Sequence, residues 1–444
     1  MRGYDRSHRL HRGRKTRTFL KQTDADIVER IAREAGLRAE CDPTPVQHEY
    51  VIQDNQTDME FLRERALRLG FAVTVDDRSL RFRRAEQQPP LAPAQEWAVT
   101  LQALRTRQSA AAQAGKVEVR GWDPAAKRAV VGSASSATAT GRLGRDAVGA
   151  DAARAAFGGD ATLVVTDRPV RSKDEADRLA QSVLDKLAGE YLYAEGVCVG
   201  EPALRAGTLV ELKGVGARFS GTYFVSATRH EYTTAGGYLT TFFVNGREPA
   251  SLLAATERAS APRRIDGVVV GIVTNNNDPQ KLGRVKVKFP WLDEGHESDW
   301  ARLATPGAGK ERGFFALPEV DDEVLVAFEQ GDISRPYVVG GLWNGKDAPP
   351  AEVVKGGQVQ TRVLRTRVGH VIELQDEAAG GFIQLKTRSG NLLKISESDR
   401  SITIESKGTV ALKGLGGELN ITQSGVELTA KGTLKIEGQL VTIN

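Results

Sequence analysis

From His370 onward the apolar positions of the chain fall into pairs, two residues apart. The pairs are Ile372/Leu374, Ile383/Leu385, Leu393/Ile395, Ile402/Ile404, Val410/Leu412, Leu419/Ile421, Val426/Leu428, Leu434/Ile436 and Val441/Ile443. Successive pairs are separated by 11, 10, 9, 8, 9, 7, 8 and 7 residues. Spacing of i, i+2 places both side chains on one face of a strand and leaves polar residues on the other. Gly380-Gly381, Ser389-Gly390-Asn391 and Ser398-Asp399 supply corner residues between the pairs. A near-regular short period of this kind predicts a stack of short strands, as in a β-helix.

Two inward side chains per strand make too thin a core for one chain, and bare strand edges invite pairing with other chains. Three chains wound together solve both problems, closing a triangular prism over a continuous apolar axis lined by these eighteen aliphatic residues. Nine strands at a spacing of about 4.8 Å give a rod on the order of 40 Å long. The competing reading is an ordinary antiparallel sandwich.

Upstream the pattern changes. Thr23 or Asp24 caps a predicted helix with Ile27, Val28, Ile31 and Ala35 on one face, ending at Gly36. Thr57 and Glu60 form a capping box for a second helix, with Phe61, Leu62, Ala66 and Leu69, ending at Gly70. Glu49–Gln53 reads as a strand, and Phe71–Val75 with Leu80–Arg83 as a hairpin. The alternation Ser7-His8-Arg9-Leu10-His11-Arg12 reads as a polar-faced strand or a phosphate-gripping basic run. This α+β part covers residues 1–85 and ends at the proline-containing stretch Gln87–Gln95. A second part, residues 97–250, reads as a β-barrel with an inserted helix. Its strands are Ala98–Leu104, Lys116–Asp123, Ala129–Val131, Gly196–Val199, Leu209–Leu212, Thr222–Tyr232 and Tyr238–Asn245. A capping box of Ser172 and Glu175 opens its helix, which buries Ala176, Leu179, Ala180, Val183, Leu184 and Leu187 and stops at Gly189. The Ser/Ala/Thr/Gly-rich stretch Gly132–Asp160 reads as a surface loop with a short helix at Asp151–Phe157, and Glu248–Arg264 as a linker. Residues 265–345 hold short strands at Gly267–Thr274, Gly283–Phe289, Ala301–Ala304, Gly313–Ala316, Glu323–Glu329 and Pro336–Leu342, the pattern of a small OB-type barrel. The strand stack occupies residues 362–444. The fold class is mainly β with an α+β first part.

Composition adds exclusions. With 61 basic and 57 acidic side chains in 444 residues, nothing global demands nucleic acid. Cys41 and Cys198 are far apart, so neither a disulfide framework nor a zinc site is indicated. No apolar run approaches the ~20 residues of a membrane span, and the basic N-terminus lacks the apolar core of a secretory signal. Gly307-Ala308-Gly309-Lys310 fails as a phosphate loop: the first Gly of the motif falls at Ala304 and the magnesium-holding hydroxyl at Glu311. The acidic clusters Asp293-Glu294, Asp321-Asp322-Glu323 and Asp376-Glu377 lie beside turn residues, where adjacent carboxylates do not form a glycosidase pair. His8 and His11 lack a third ligand nearby, and His48, His230, His296 and His370 are scattered. No catalytic, cofactor or metal site emerges, so the chain reads as a non-enzyme. Trp291, Trp300, Phe314, Phe315 and Trp343 read as barrel core and inter-subunit contacts.

The barrel also carries a resemblance. Gly271-Ile272-Val273-Thr274-Asn275-Asn276-Asn277-Asp278-Pro279, Leu282-Gly283-Arg284-Val285-Lys286-Val287 and Phe289-Pro290-Trp291 resemble the spike domain of VgrG proteins and contractile phage tails. So do Leu317-Pro318-Glu319-Val320-Asp321-Asp322-Glu323-Val324-Leu325-Val326, Gly331-Asp332-Ile333-Ser334-Arg335-Pro336 and Gly340-Gly341-Leu342. Tyr4-Asp5-Arg6-Ser7-His8-Arg9-Leu10-His11-Arg12-Gly13 resembles the hub of VgrG-type spikes from extracellular, phage-tail-like injection particles. The resemblance implies a homotrimer in which hub, OB barrel and a trimeric intertwined β-helix form one puncturing spike without catalytic activity. It also implies inner-tube and baseplate partners, a PAAR-type tip protein at the C-terminal end, effector cargo and transient contact with a target membrane. Assembly is expected in the cytoplasm without a signal peptide, and the particle is left open between a released extracellular one, a cell-bound type VI system and a phage. Family hubs carry strands ahead of the matched basic stretch, so the first barrel is expected to be incomplete. Lys346–Thr361 is too short to hold the lysozyme that some phage spikes insert. A wall-degrading tail enzyme and a receptor- or polysaccharide-binding fibre are the alternatives.

Overall fold

The computed structural model describes residues 6–84, 90–138, 149–245, 264–292, 297–378, 380–435 and 437. It divides into two compact units, Met1–Leu342 and Trp343–Asn444.

The first unit begins with β1 (Lys15–Thr23), α1 (Asp24–Glu34), β2 (Arg38–Cys41), β3 (Gln47–Gln56), α2 (Asp58–Leu69), β4 (Phe71–Asp76) and β5 (Ser79–Arg84). Both helices start where the side chains dictate. The Thr23 hydroxyl accepts from the Asp26 N–H (3.2 Å), and the Asp26 carboxylate takes the Thr23 N–H in return (2.8 Å). Thr57 and Glu60 make the same reciprocal pair. The buried faces of α1 and α2 meet Phe19, Leu80 and Phe82 in one core, where each large apolar side chain contributes roughly 1.5–3 kcal/mol. β1 pairs with β3, and β2, β5 and β4 form a three-stranded sheet. The strand expected over Ser7–Arg12 is instead a 3-10 helix, Arg6–His11. Its apolar residue, Leu10, is fully buried in the core, a single anchor that alternation alone misread.

The second part runs β6 (Gln95–Glu96), β7 (Leu101–Gln108), β8 (Lys116–Asp123), β9 (Arg128–Ala134), α3 (Gly149–Phe157), β10 (Thr162–Val165) and α4 (Lys173–Gly189). It continues with β11 (Leu192–Val199), β12 (Leu209–Lys213), β13 (Gly221–Phe224), β14 (Ala227–Thr233) and β15 (Gly237–Asn245). Where a barrel with one inserted helix was expected, two sheets of order β14-β15-β11-β7 and β13-β12-β6 enclose a common core. The insertion is larger than a helix: β10-β8-β9 form their own sheet, covered by α4. A Cβ at Gly132 would sit 2.4 Å from the Ala176 carbonyl carbon, so only glycine admits this helix-to-strand approach. The loop expected over Gly132–Asp160 is therefore partly strand. Beyond it, the Thr138 N–H and hydroxyl both bind the Asp185 carboxylate at 2.7 Å. Its residues 139–148 lie outside the described residues, as does most of the expected linker. The capping box at α4 is also displaced. Ser172 accepts from the Glu175 N–H, but the Glu175 carboxylate takes the Arg171 N–H.

β16 (Val268–Asn275), β17 (Arg284–Lys288), β18 (Ala301–Leu303), β21 (Glu323–Phe328) and β22 (Pro336–Gly341) close the barrel. β19 (Ala308–Gly309) and β20 (Arg312–Gly313) form a small hairpin beside it, where a strand over Gly313–Ala316 was expected. The barrel core is aliphatic, with Val273, Val285, Val287, Val324, Val326 and Val338 inside and Phe289 and Phe328 closing it. Trp291, Phe314, Phe315 and Trp343 are exposed rather than core, Phe315 at 73%. The inward β positions were already filled by the alternating valines, which left the aromatics to the loops.

The Asn275–Leu282 loop is held by buried Asp278. Its carboxylate accepts from Arg284 Nε (2.9 Å) and Nη2 (2.7 Å) and from the Gln280 and Leu282 N–H groups. The Arg284 hydrogen bonds hold that carboxyl well below the usual carboxylate range, against the opposing effect of burial. Asp278→Ala strands the guanidinium and two amides, and is expected to lower barrel stability by about 3 kcal/mol. Tryptophan fluorescence during urea unfolding reads this through Trp291 and Trp300.

The second unit opens with a hairpin of β23 (Val354–Lys355) and β24 (Gln358–Val359). β25 (Thr361–Arg365), β26 (Val371–Gln375), β27 (Phe382–Lys386), β28 (Leu392–Ser396) and β29 (Ser401–Glu405) then form an antiparallel meander in chain order. β30 (Val410–Gly414), β31 (Gly417–Thr422) and β32 (Gly425–Ala430) form a second. The strands thus take their hydrogen-bonded neighbours from their own chain, where three chains had been expected to supply them. Two corners repeat: Thr366-Arg367-Val368-Gly369-His370 and Thr387-Arg388-Ser389-Gly390-Asn391. In each, the glycine has φ +94° and the threonine hydroxyl accepts the N–H four residues on.

Candidate functional site

The register of the meanders assembles the paired aliphatics into two continuous columns. Ile372, Leu385, Leu393 and Ile404 face one another in one column, and Leu374, Ile383, Ile395 and Ile402 in the other. In the second sheet Val410, Ile421 and Val426 form one column and Leu412, Leu419 and Leu428 the other. Leu364, opposite Ile372, extends the first column by a strand. Sequence reading missed it because its i−2 companion is Arg362 rather than an aliphatic residue, so no pair was visible. Ile436, Val441 and Ile443 lie outside the described residues.

Exposure is inverted relative to an ordinary sheet. Thirteen of the paired aliphatics, Leu434 included, are 37–71% exposed, while Val410 and Leu419 are half-buried. The opposite face of the five-stranded sheet, which mixes Val363, Val371, Phe382 and Leu392 with polar side chains, is more covered. Gln384 donates to Glu373 (2.6 Å), and the Lys394 ammonium lies 4.5 Å from the Phe382 ring centre. Both faces are thereby defined, and the apolar one is open. Completing the burial of its residues is worth about 1 kcal/mol each, or on the order of 10 kcal/mol per chain before the cost of association. An apolar face this continuous marks an interaction surface.

The positions considered for chemistry resolve into structural roles. Asp322 accepts from the Glu319 N–H (2.7 Å) in the turn before β21. Asp376 pairs with Arg362, and Glu377 accepts from Gln375. The Gly307–Lys310 stretch is the β19–β20 hairpin, not a phosphate cradle. His48 is bound to buried Asp24 (2.8 Å) and His230 to the Tyr238 hydroxyl (2.9 Å). Burial pushes the Cys41 and Cys198 thiols up to about 11, away from nucleophilic use. Asp293, Glu294 and His296 lie outside the described residues. Among the described residues no cluster of His, Cys, Asp or Glu is disposed to hold a metal, and no helix is long and apolar enough to cross a membrane.

The first unit thus carries a closed five-stranded barrel after the two α+β parts, and the second unit carries an open-faced strand stack. Residues 269–343 match the type VI secretion system/phage-baseplate injector OB domain. Residues 2–234, just over half of the chain, match the Alg8 N-terminal domain, and the chain belongs to that family. It is 30% identical over 203 residues to the actin cross-linking toxin VgrG1 of Vibrio cholerae, covering 41% of this chain and 18% of that protein. It is 38% identical over 101 residues to the type VI secretion system spike protein VgrG2a of Pseudomonas aeruginosa, covering 21% and 12%. The chain thus spans less than a fifth of the length of these two relatives. Among solved structures, the E. coli c3393 protein, a component of the type VI secretion system, aligns with a TM-score of 0.47 at 17% identity, over 76% of each chain.

Proposed function

We propose that this chain is the subunit of a homotrimeric structural spike at the tip of a contractile injection particle. In this reading three copies bury the apolar columns of the second unit against one another, and the resulting prism is the puncturing element. The observation that carries it is the inverted exposure of the columns, on a chain whose barrel matches the injector OB domain. The first two parts would dock on the inner tube and baseplate. The far end of the strand stack would take a PAAR-type tip protein, and effector cargo would travel with the spike. Its work is mechanical: sheath contraction drives it into the target envelope, with transient membrane contact and no bond made or broken. Assembly would take place in the cytoplasm.

Light scattering on the purified chain tests the reading. The expected mass is about 144 kDa, three times the 48.0 kDa chain, falling toward one copy when residues 360–444 are removed. A full-length monomer at micromolar concentration would overturn it.

A further inference from the structure

The five-stranded sheet has two rows of corners, and they carry opposite charge. Hairpin alternation puts the turns after β26 and β28 in one row, with Asp376, Glu377, Glu397 and Asp399. The turns after β25 and β27 and the exit from β29 form the other row, with Arg365, Lys386, Arg388 and Lys407 at or beside them. The basic corners are stacked directly on one another. The Arg388 N–H donates to His370 Nδ1 (3.3 Å), and the Lys407 N–H to Asn391 Oδ1 (3.1 Å). The acidic corners are stacked likewise, through the Glu397 N–H to the Gly381 carbonyl (2.9 Å). Each row holds exceptions, Arg362 and Arg400 in the acidic one and Glu405 in the basic one, but the sign of each row survives them. The β30–β32 sheet has no such polarity, since its turns Gly414–Gly417 and Thr422–Gly425 carry no charge.

We propose that this polarity is an orientation code between copies: the acidic corner row of each chain lies along the basic corner row of the next. The proposal rests on the trimer reading and adds what that reading lacks, the reason the copies run in the same direction. Rotation about the stacking axis brings unlike rows together at every corner and closes the ring heterologously. Inverting one copy would set acid against acid and base against base along two corners, so the charges select against the antiparallel arrangement as well as for the parallel one. The apolar columns cannot make this choice, because two columns of aliphatic side chains look alike from either end.

The test uses the full chain in three forms: Glu377→Lys with Glu397→Lys, Arg388→Glu with Lys407→Glu, and all four together. All four positions are exposed, and none lies in an apolar column. Trimer fraction is read by light scattering across a dilution series at 50 mM and 500 mM NaCl. Each half-reversed form is expected to dissociate at a concentration at least tenfold higher than the wild type in low salt. High salt should shrink that gap, and the four-fold reversal should regain wild-type behaviour. Circular dichroism confirms that each form is folded. The proposal is overturned if half-reversed forms match the wild type at low salt, or if the four-fold form is as weak as either half. A monomeric wild type would overturn the trimer reading itself, and with it the orientation code.

Discussion

Ile404→Asp is expected to convert the proposed trimer to monomer at micromolar concentration. Ile404 stands opposite Leu393 in the first apolar column, so a closed prism would place three carboxylates at one level of its axis. Each would be removed from water without a partner, at a cost of several kcal/mol, and their mutual repulsion adds to it. Against a gain on the order of 10 kcal/mol per chain from the columns, that suffices to undo association. Leu412→Asp makes the same test in the second sheet. The control is one residue away: Thr403 is on the other face, opposite Lys394, where Asp meets a cation in solvent. Thr403→Asp should leave the mass at three copies. Trimers of undiminished stability in Ile404→Asp would show that the columns do not face inward.

Arg65→Met should loosen the first part without touching the strand stack. Asp24 is 1% exposed and caps no helix, yet its carboxylate binds Arg65 Nε at 2.5 Å and His48 Nε2 at 2.8 Å. Burial alone would raise this carboxyl, but the Arg65 charge, with the hydrogen bonds from His48 and Arg65, outweighs it and holds the group well below its ordinary 3.8. Removing the guanidinium leaves a buried charge with little compensation, a loss of about 3–5 kcal/mol. Amides of α1 and α2 should then exchange roughly 10²–10⁴-fold faster. The pH dependence has a definite sign. Because the folded carboxyl is depressed, the wild type has this stabilisation in full above the unfolded value of 3.8 and loses it as pH falls further. The variant has no such stabilisation to lose, so the gap in exchange rates should narrow as the pH is taken below 4. A constant gap would assign the effect to packing of the Arg65 side chain instead.

How much was legible in the chain follows from how local each determinant is. The capping threonines of α1 and α2 and the paired aliphatics act within a few residues of themselves; the structure shows both helix starts, and seven of the nine pairs lie in strands with both residues on one face. The Arg6–His11 helix was not legible, because what places it is the burial of Leu10 under distant side chains. The Glu175 carboxylate has the spacing of a capping box, but which N–H it takes is decided by the path of Arg171 into the helix. Loop aromatics such as Phe315 were assigned to the barrel core because aromatic residues usually seek one. The strand valines had already filled that volume. For the strand stack, the period gave the face but not the neighbours: hydrogen-bond partners come from turn length, and these turns are short enough to fold each strand back on the last.

That hairpin connectivity has a consequence for how the proposed spike is made. Every strand of β26–β29 pairs with the one just synthesised, so each addition closes only a short loop, an event of microseconds. The sheet can therefore zip up in order as the polypeptide emerges, and needs a second molecule only to cover its face. Until that encounter each nascent stack is an aggregation hazard whose lifetime is set by subunit concentration, which makes production of several copies close together in space the natural safeguard.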